Sequence, residues 1–129
     1  MKISILLPYK ENFSAIYAGA VSLFVKDTTK LSRYKKHITV YGNTKLKKIY
    51  KLNYKNIFLK KILVQSGSKV YVSQFLKYEK ENPSDIIEIH NRPNYFHLIN
   101  VYKKNQKLVL YFHNDPLTMT GSRSISDRK

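Results

Sequence analysis

The chain has 129 residues, no cysteine and a formal net charge of +16, and 43% of its residues are hydrophobic. Such a length holds one domain with one hydrophobic core, and this hydrophobic content argues against disorder of the whole chain. The lack of cysteine excludes disulfides, thiolate metal sites and cysteine nucleophiles.

The positive charge has two explanations that the sequence leaves open. A field of this sign attracts nucleic acid, anionic lipid or phosphorylated substrates. The abundance of Lys, Ile, Asn and Tyr also fits AT-biased coding, which requires no binding partner. No apolar run reaches the roughly 18 residues of a membrane-spanning helix. We therefore expect a cytoplasmic location, with at most peripheral contact between the protein and the inner face of the membrane.

Predicted strands and helices alternate along the chain. Short apolar runs bounded by proline, glycine or polar residues predict the strands Lys2–Leu7, His37–Tyr41, Asp85–Asn91 and Leu108–Phe112. Apolar residues at helical spacing predict helices over 19–31, which Gly19 opens, over 69–82, with an N-cap at Ser68, and over 95–102. This order predicts an α/β, Rossmann-like, doubly wound domain whose mostly parallel sheet has helices on both faces.

Residues 45–61 alternate lysines with apolar side chains, and their pattern does not decide between a helix and short strands. The lysines have two interpretations. One is a surface that binds anionic lipid headgroups or an anionic acceptor, and the other is a solvated face over a core element. They are Lys45, Lys47, Lys48, Lys51, Lys55, Lys60 and Lys61.

Two of the predicted strands end in the same dipeptide, His90-Asn91 in one case and His113-Asn114 in the other. The second follows Leu108–Phe112, an unbroken apolar run that predicts burial on both faces of the sheet. The carboxyl ends of parallel strands face the crevice in which open α/β sheets bind ligands. We therefore expect both dipeptides at one edge of the sheet, suited to holding a polyhydroxy or phosphorylated ligand.

The order of these motifs resembles the N-terminal half of family 4 glycosyltransferases of the GT-B fold. In that family a Gly-Gly-Ala-Glu-like segment opens the first helix, an Asp-hydrophobic-hydrophobic-x-x-His strand follows, and a later strand ends in His. Residues 18–21 (AGAV) match the first feature, Asp85–His90 the second and Leu108–His113 the third. The resemblance extends over nearly the whole chain.

The resemblance implies the acceptor-binding domain of a retaining glycosyltransferase, which transfers a sugar from a nucleotide sugar to a glycan or lipid-linked envelope acceptor. It implies that Gly19, which has no Cβ, lets the backbone approach the donor diphosphate, and that His113 lies beside the transferred sugar. The acceptor-binding residues that it implies are Tyr17, His90, Asn91, Arg92, Asn114 and Asp115.

The Glu-x7-Glu signature of this family belongs to a C-terminal donor domain, so the resemblance implies nucleotide-sugar binding only for a full-length protein. We expect residues 1–116 to form the Rossmann-like domain and 117–129, which are small and hydroxyl-rich, to form a flexible loop leading into further sequence. No cofactor is expected for the 129 residues alone, and the histidines have no metal-ligand spacing.

A second hypothesis is a basic, non-enzymatic module that binds nucleic acid through its charge and its tyrosines. The tyrosines fall mostly within apolar periodic stretches, and no nucleic-acid recognition motif is present. We therefore expect a sugar or lipid-linked acceptor as the partner, and not nucleic acid.

Overall fold

The computed structural model describes residues 1–59 and 66–128. Its strands are β1 Ile3–Leu6, β2 Ile38–Gly42, β3 Tyr54–Asn56, β4 Ile86–His90 and β5 Lys107–Tyr111. Its helices are α1 Ala20–Leu31, α2 Gly67–Glu81, α3 Pro93–Tyr102 and the single turn α4 Ile125–Arg128. Two 3₁₀ turns cover Lys35–His37 and Pro116–Thr118.

The five strands form one parallel sheet in the order β3-β2-β1-β4-β5. The chain moves outward from β1 to β3 and then crosses through α2 to β4 on the other side of β1. The strand order therefore reverses between β1 and β4, and such a reversal is where open α/β sheets bind ligands. The predicted Rossmann-like, doubly wound α/β fold is confirmed.

Side chains of the sheet pack against helices on both of its faces. On one face, Val21 and Val25 of α1 share a core with Ile5 of β1. On the other face, α2 and α3 form a core that includes Leu6 of β1. Ile5 and Leu6 are neighbours in sequence but belong to different cores, because successive strand residues point to opposite faces. Each fully buried aliphatic side chain stabilises the fold by about 1.5–3 kcal/mol.

A buried carboxylate joins α2 to the amino-terminal edge of the sheet. Glu79 is 2% exposed, and its Oε1 accepts a hydrogen bond of 2.6 Å from Ser4 Oγ in β1. Its Oε2 accepts from the backbone N and the Oγ of Ser84 at 2.9 and 2.8 Å. Glu79 thus holds α2 to the starts of β1 and β4 on the edge opposite to the strand ends that carry His90 and His113.

β5 is an edge strand, so the predicted burial of Leu108–Phe112 on both faces is wrong. Leu108 and Leu110 pack against the core on the side of α3. Val109 and Tyr111, on the opposite face, are 44% and 42% exposed. An apolar run looks the same in a central strand and in an edge strand that has one covered face, so the sequence did not reveal the difference.

The N-cap of α2 is Ser66, and the predicted cap at Ser68 is wrong. Ser66 Oγ accepts a hydrogen bond of 3.3 Å from Lys69 N, and Ser68 lies within the first turn. The intervening Gly67 allows the helix to begin close to Tyr9, because a Cβ at that position would lie 2.8 Å from Cε1 of the tyrosine ring.

The lysine-rich stretch contains β3 as its regular element within residues 45–59, so short strands and not a helix describe that part of it. Lys60 and Lys61 lie outside the described residues. None of the helices in the described ranges combines the length and the apolar character that crossing a membrane requires.

The segment 116–128 contains two short helical turns, Pro116–Thr118 and Ile125–Arg128. Ser122 Oγ donates a hydrogen bond of 2.7 Å to the carbonyl of Pro116, and His97 Nε2 of α3 lies 2.7 Å from the carbonyl oxygen of Gly121. The second of these contacts holds the segment against α3.

Candidate functional site

The two His-Asn dipeptides meet at the carboxyl edge of the sheet. β4 and β5 are paired in register, which brings the residues that end them side by side. His90 Nδ1 lies 2.9 Å from His113 Nε2, and Asn91 Nδ2 donates a hydrogen bond of 2.6 Å to Asn114 Oδ1. The predicted proximity of the two dipeptides is confirmed.

Asn91 also fixes the backbone that carries His113. Its N–H donates to the carbonyl of Tyr111 at 2.8 Å, and its Oδ1 accepts from His113 N at 3.3 Å. Asn91 has a φ of 56°, in the left-handed region that asparagine tolerates better than most residues. The side chain of Asn91 thereby joins the end of β4 to the segment that follows β5.

Glu88 lies on the same face of β4 as His90, because residues two apart in a strand point the same way. Glu88 Oε1 is 2.5 Å from His90 Nε2. His90 is fully buried, whereas the Glu88 side chain is 30% exposed. Both ring nitrogens of His90 are engaged in hydrogen bonds, so Glu88, His90 and His113 form a hydrogen-bonded chain and not a metal cage.

Aromatic side chains flank the ring of His113. Phe24 of α1 meets it edge-on with ring centroids 5.0 Å apart, and the Tyr111 centroid lies 4.9 Å away. Burial lowers the pKa of His113 from its ordinary value of 6.5, and the adjacent His90 lowers it further. The charges of Glu11 and Glu88 oppose this shift but do not cancel it. His113 is therefore predominantly neutral at pH 7.

A carboxylate lies at the N-terminus of α1. Gly19 is the N-cap of this helix, and Glu11 Oε1 accepts a hydrogen bond of 3.1 Å from Ser22 N in its first turn. A Cβ atom at Gly19 would overlap the same carboxylate oxygen. The free N–H groups and the dipole of a helix stabilise an anion at this end by about 0.3–1 kcal/mol. Gly19 thus opens α1, as predicted, and leaves room for an oxygen anion, which here is Glu11.

Several other predicted binding residues have local partners. Arg92 Nη1 donates to the carbonyl of Asn91 at 2.8 Å, and Asp115 Oδ1 accepts from Leu117 N at 2.9 Å, which caps a 3₁₀ turn. Tyr17, in the loop between β1 and α1, is 85% exposed and has a φ of 52°. Within residues 1–59 and 66–128, no hydrogen bond joins Tyr17 to the chain formed by Glu88, His90 and His113.

The predicted lysines of residues 45–59 lie on two sides of the sheet. Lys51 lines a groove of about 670 Å³ together with Lys26, Lys30 and Lys35, and Tyr50 forms part of its wall. Lys55 lies on the other side, where its Nζ is 3.8 Å from the ring centroid of Tyr78 in α2. All of the predicted lysines in the described part of the stretch are exposed, namely Lys45, Lys47, Lys48, Lys51 and Lys55.

Sequence reasoning missed Glu88, Glu11 and Phe24. Glu88 had a signal, because it is a charged residue two positions before His90 in an otherwise apolar strand. Phe24 was recognised as part of the apolar stripe of α1 but not as a neighbour of His113. Glu11 lies in an irregular loop, whose path no local pattern predicts.

Comparison of the chain with protein-family models finds no match. Comparisons with curated proteins and with solved structures also find none. The function is therefore argued from the fold and from the geometry at the carboxyl edge of the sheet.

Proposed function

We propose that this chain is the acceptor-binding domain of a retaining glycosyltransferase. The enzyme transfers a sugar from a nucleotide sugar to a glycan or lipid-linked envelope acceptor in the cytoplasm. The single observation that carries the proposal is the contact of 2.9 Å between His90 and His113, at the ends of adjacent parallel strands. It supports a ligand site there because it concentrates polar groups beside the point where the strand order reverses.

His113 is the residue that we assign to the transferred sugar. Its neutral ring offers a nitrogen lone pair for a sugar hydroxyl, and Phe24 and Tyr111 provide apolar surroundings beside it. The neighbouring amides of Asn91 and Asn114 are suited to hydrogen bonds with further hydroxyl groups.

Gly19 is the residue that we assign to the approach of the donor diphosphate. Glu11 occupies the same helix end, and a phosphate and a carboxylate repel each other at contact distance. Diphosphate binding therefore requires Glu11 to leave the N-terminus of α1. The exchange of one anion for another would couple donor binding to a movement of the loop between β1 and α1.

The proposal is tested on the full-length protein with a panel of nucleotide sugars and membrane extract, by following release of the nucleoside diphosphate. Replacing His113 with alanine should lower the rate of transfer by about 10²-fold or more, as loss of a well-placed polar group in an active site commonly does. His37→Ala is the matched control, since His37 is exposed and precedes β2 at the opposite edge of the sheet. An unchanged rate in His113→Ala would remove His113 from the site, and turnover of no donor at all would count against a glycosyltransferase.

Peripheral contact with an anionic membrane is part of the proposal. The exposed lysines of residues 45–59 support it, although Lys51 and Lys55 lie on opposite sides of the sheet. Vesicles containing anionic lipid should sediment the protein and neutral vesicles should not. Equal recovery with both kinds of vesicle would contradict membrane contact through these lysines.

The groove lined by Lys26, Lys30, Lys35 and Lys51 favours a second candidate function, which is binding of nucleic acid. Against it, Tyr41, Tyr71 and Tyr95 are buried in the core and cannot stack on bases. Tight and strongly salt-dependent binding of single-stranded oligonucleotides at physiological ionic strength would support this alternative. Absence of such binding would leave the glycosyltransferase as the stronger candidate.

A further inference from the structure

Glu88, His90 and His113 form a chain of hydrogen bonds that runs from a partly exposed carboxylate to the ring at the candidate site. Glu88 Oε1 contacts His90 Nε2, and His90 Nδ1 contacts His113 Nε2 at 2.9 Å. The middle ring is fully buried, and within residues 1–59 and 66–128 its two nitrogens make no other hydrogen bonds. Such a chain restricts where the protons of all three groups can reside.

The restriction follows from the donors and acceptors of each group. An ionised carboxylate only accepts, so His90 Nε2 must carry a proton. In a neutral His90 the Nδ1 atom is then an acceptor, and His113 Nε2 must supply the proton between the two rings. A neutral His113 with its proton on Nε2 has a bare lone pair on Nδ1. The carboxylate of Glu88 therefore selects the tautomer of a ring that it does not touch.

The selected lone pair lies where a ligand can reach it. His113 Nδ1 makes no hydrogen bond within the described part of the chain. It is not among the fully buried polar atoms of the described residues that lack a partner, and His113 as a whole is only partly buried. Phe24 and Tyr111 flank the ring and leave this nitrogen as its free polar atom.

We propose that Glu88 and His90 are positioning residues that fix the tautomer of His113, so that His113 Nδ1 accepts a hydrogen bond from a hydroxyl group of the transferred sugar. This inference rests on the proposed glycosyltransferase function for the identity of the hydroxyl. The fixing of the tautomer itself depends only on the hydrogen-bonded chain.

The surroundings of His113 come from four parts of the fold. The groups facing His113 are His90 and Glu88 from β4, Tyr111 from β5, Phe24 from α1 and Glu11 from the loop before α1.

The tautomers are measured by long-range ¹H–¹⁵N correlation spectra of the ¹⁵N-labelled protein near pH 7.5. The wild-type chain should show His113 protonated at Nε2 and bare at Nδ1, with His90 protonated at Nε2. Glu88→Gln should yield a mixture of tautomers at both rings, because an amide can either accept from or donate to His90. Glu81→Gln, which changes an exposed carboxylate at the end of α2, should leave the spectra unchanged. A wild-type His113 protonated at Nδ1, or a Glu88→Gln spectrum identical to wild type, would overturn the inference.

The same variants in the full-length enzyme separate this inference from the proposed function. Glu88→Gln should lower kcat at least about tenfold with a smaller change in KM, as loss of a residue that orients another commonly does. Its melting temperature should stay near that of Glu81→Gln. If His113→Ala abolishes transfer while Glu88→Gln is as active as wild type, the positioning role is wrong and the proposed function stands. If His113→Ala is fully active, the proposed role of His113 is wrong, and the spectra still decide whether Glu88 fixes its tautomer.

Discussion

Glu11 Oε1 accepts a hydrogen bond of 3.1 Å from the backbone N–H of Ser22, which places a carboxylate at the N-terminus of α1. The neighbouring Gly19 has no Cβ, and only this absence lets the carboxylate come so close. The helix end therefore already holds an anion, and an added phosphate has to compete with it.

Removal of the Glu11 charge should strengthen anion binding at this helix end. Two like charges about 4 Å apart repel by about 1 kcal/mol even in water, so Glu11→Gln should bind pyrophosphate roughly fivefold more tightly than wild type. The amide signals of residues 19–22 in a titration with pyrophosphate measure the affinity. Glu81→Gln is the control, because it removes the same charge from the exposed end of α2. Equal affinity in Glu11→Gln and wild type would show that Glu11 does not compete for the site.

The pKa of His113 should lie below 6.5 in the folded chain, because burial and His90 both lower it. As the pH falls, the unfolded chain takes up this proton first. The free energy of unfolding should therefore decrease, through His113, as the pH falls from about 6.5 to the lowered pKa of the folded chain. At higher pH the free energy of unfolding should not depend on this group.

Glu11→Gln should lower the pKa of His113 further, because the charge of Glu11 raises it in the wild type. NMR titration of the imidazole C–H signals between about pH 4 and pH 8, a range that brackets the ordinary histidine pKa, measures the pKa of His113 in the wild type and in Glu11→Gln. A wild-type midpoint at or above the ordinary value, or an upward shift in Glu11→Gln, would contradict the electrostatic picture of the site.

Much of the fold and part of the site could be predicted because they depend on local patterns. Short apolar runs and helical spacing gave β1, β2, β4 and the three long helices. The repeated His-Asn dipeptide at two strand ends predicted that His90 and His113 lie close together, because neighbouring parallel strands end at the same edge of the sheet.

The rest depends on contacts between distant parts of the chain. The position of β5 at the edge is set by the number of strands that pack beside it, and no property of Leu108–Phe112 reports that number. Likewise, Glu11 reaches α1 through an irregular loop that includes Lys10 in a left-handed conformation. Lysine has no preference for that conformation, so no turn signal marks this position.

Asn91 should be intolerant of alanine and more tolerant of glycine. Both variants lose the side-chain hydrogen bonds to Asn114 and to His113 N, at a cost of about 0.5–1.5 kcal/mol each. Alanine in addition has to adopt a φ of 56°, which strains a residue with a Cβ by roughly 1 kcal/mol relative to glycine. Urea unfolding should therefore rank wild type above Asn91→Gly and Asn91→Gly above Asn91→Ala. Alanine as stable as glycine would mean that this backbone position relaxes.

Glu79 should be replaceable by glutamine but not by alanine. Glu79→Ala leaves Ser4 Oγ and the backbone N–H of Ser84 buried without partners, which should lower the free energy of unfolding by about 2–4 kcal/mol. In Glu79→Gln the amide oxygen can still accept from Ser84, and the hydroxyl of Ser4 can rotate to accept from the amide nitrogen. The glutamine variant should therefore lose no more than about half as much stability as the alanine variant. Urea unfolding of both variants measures the difference, and equal losses would show that the negative charge, rather than the hydrogen bonds, is what α2 and β1 require at this position.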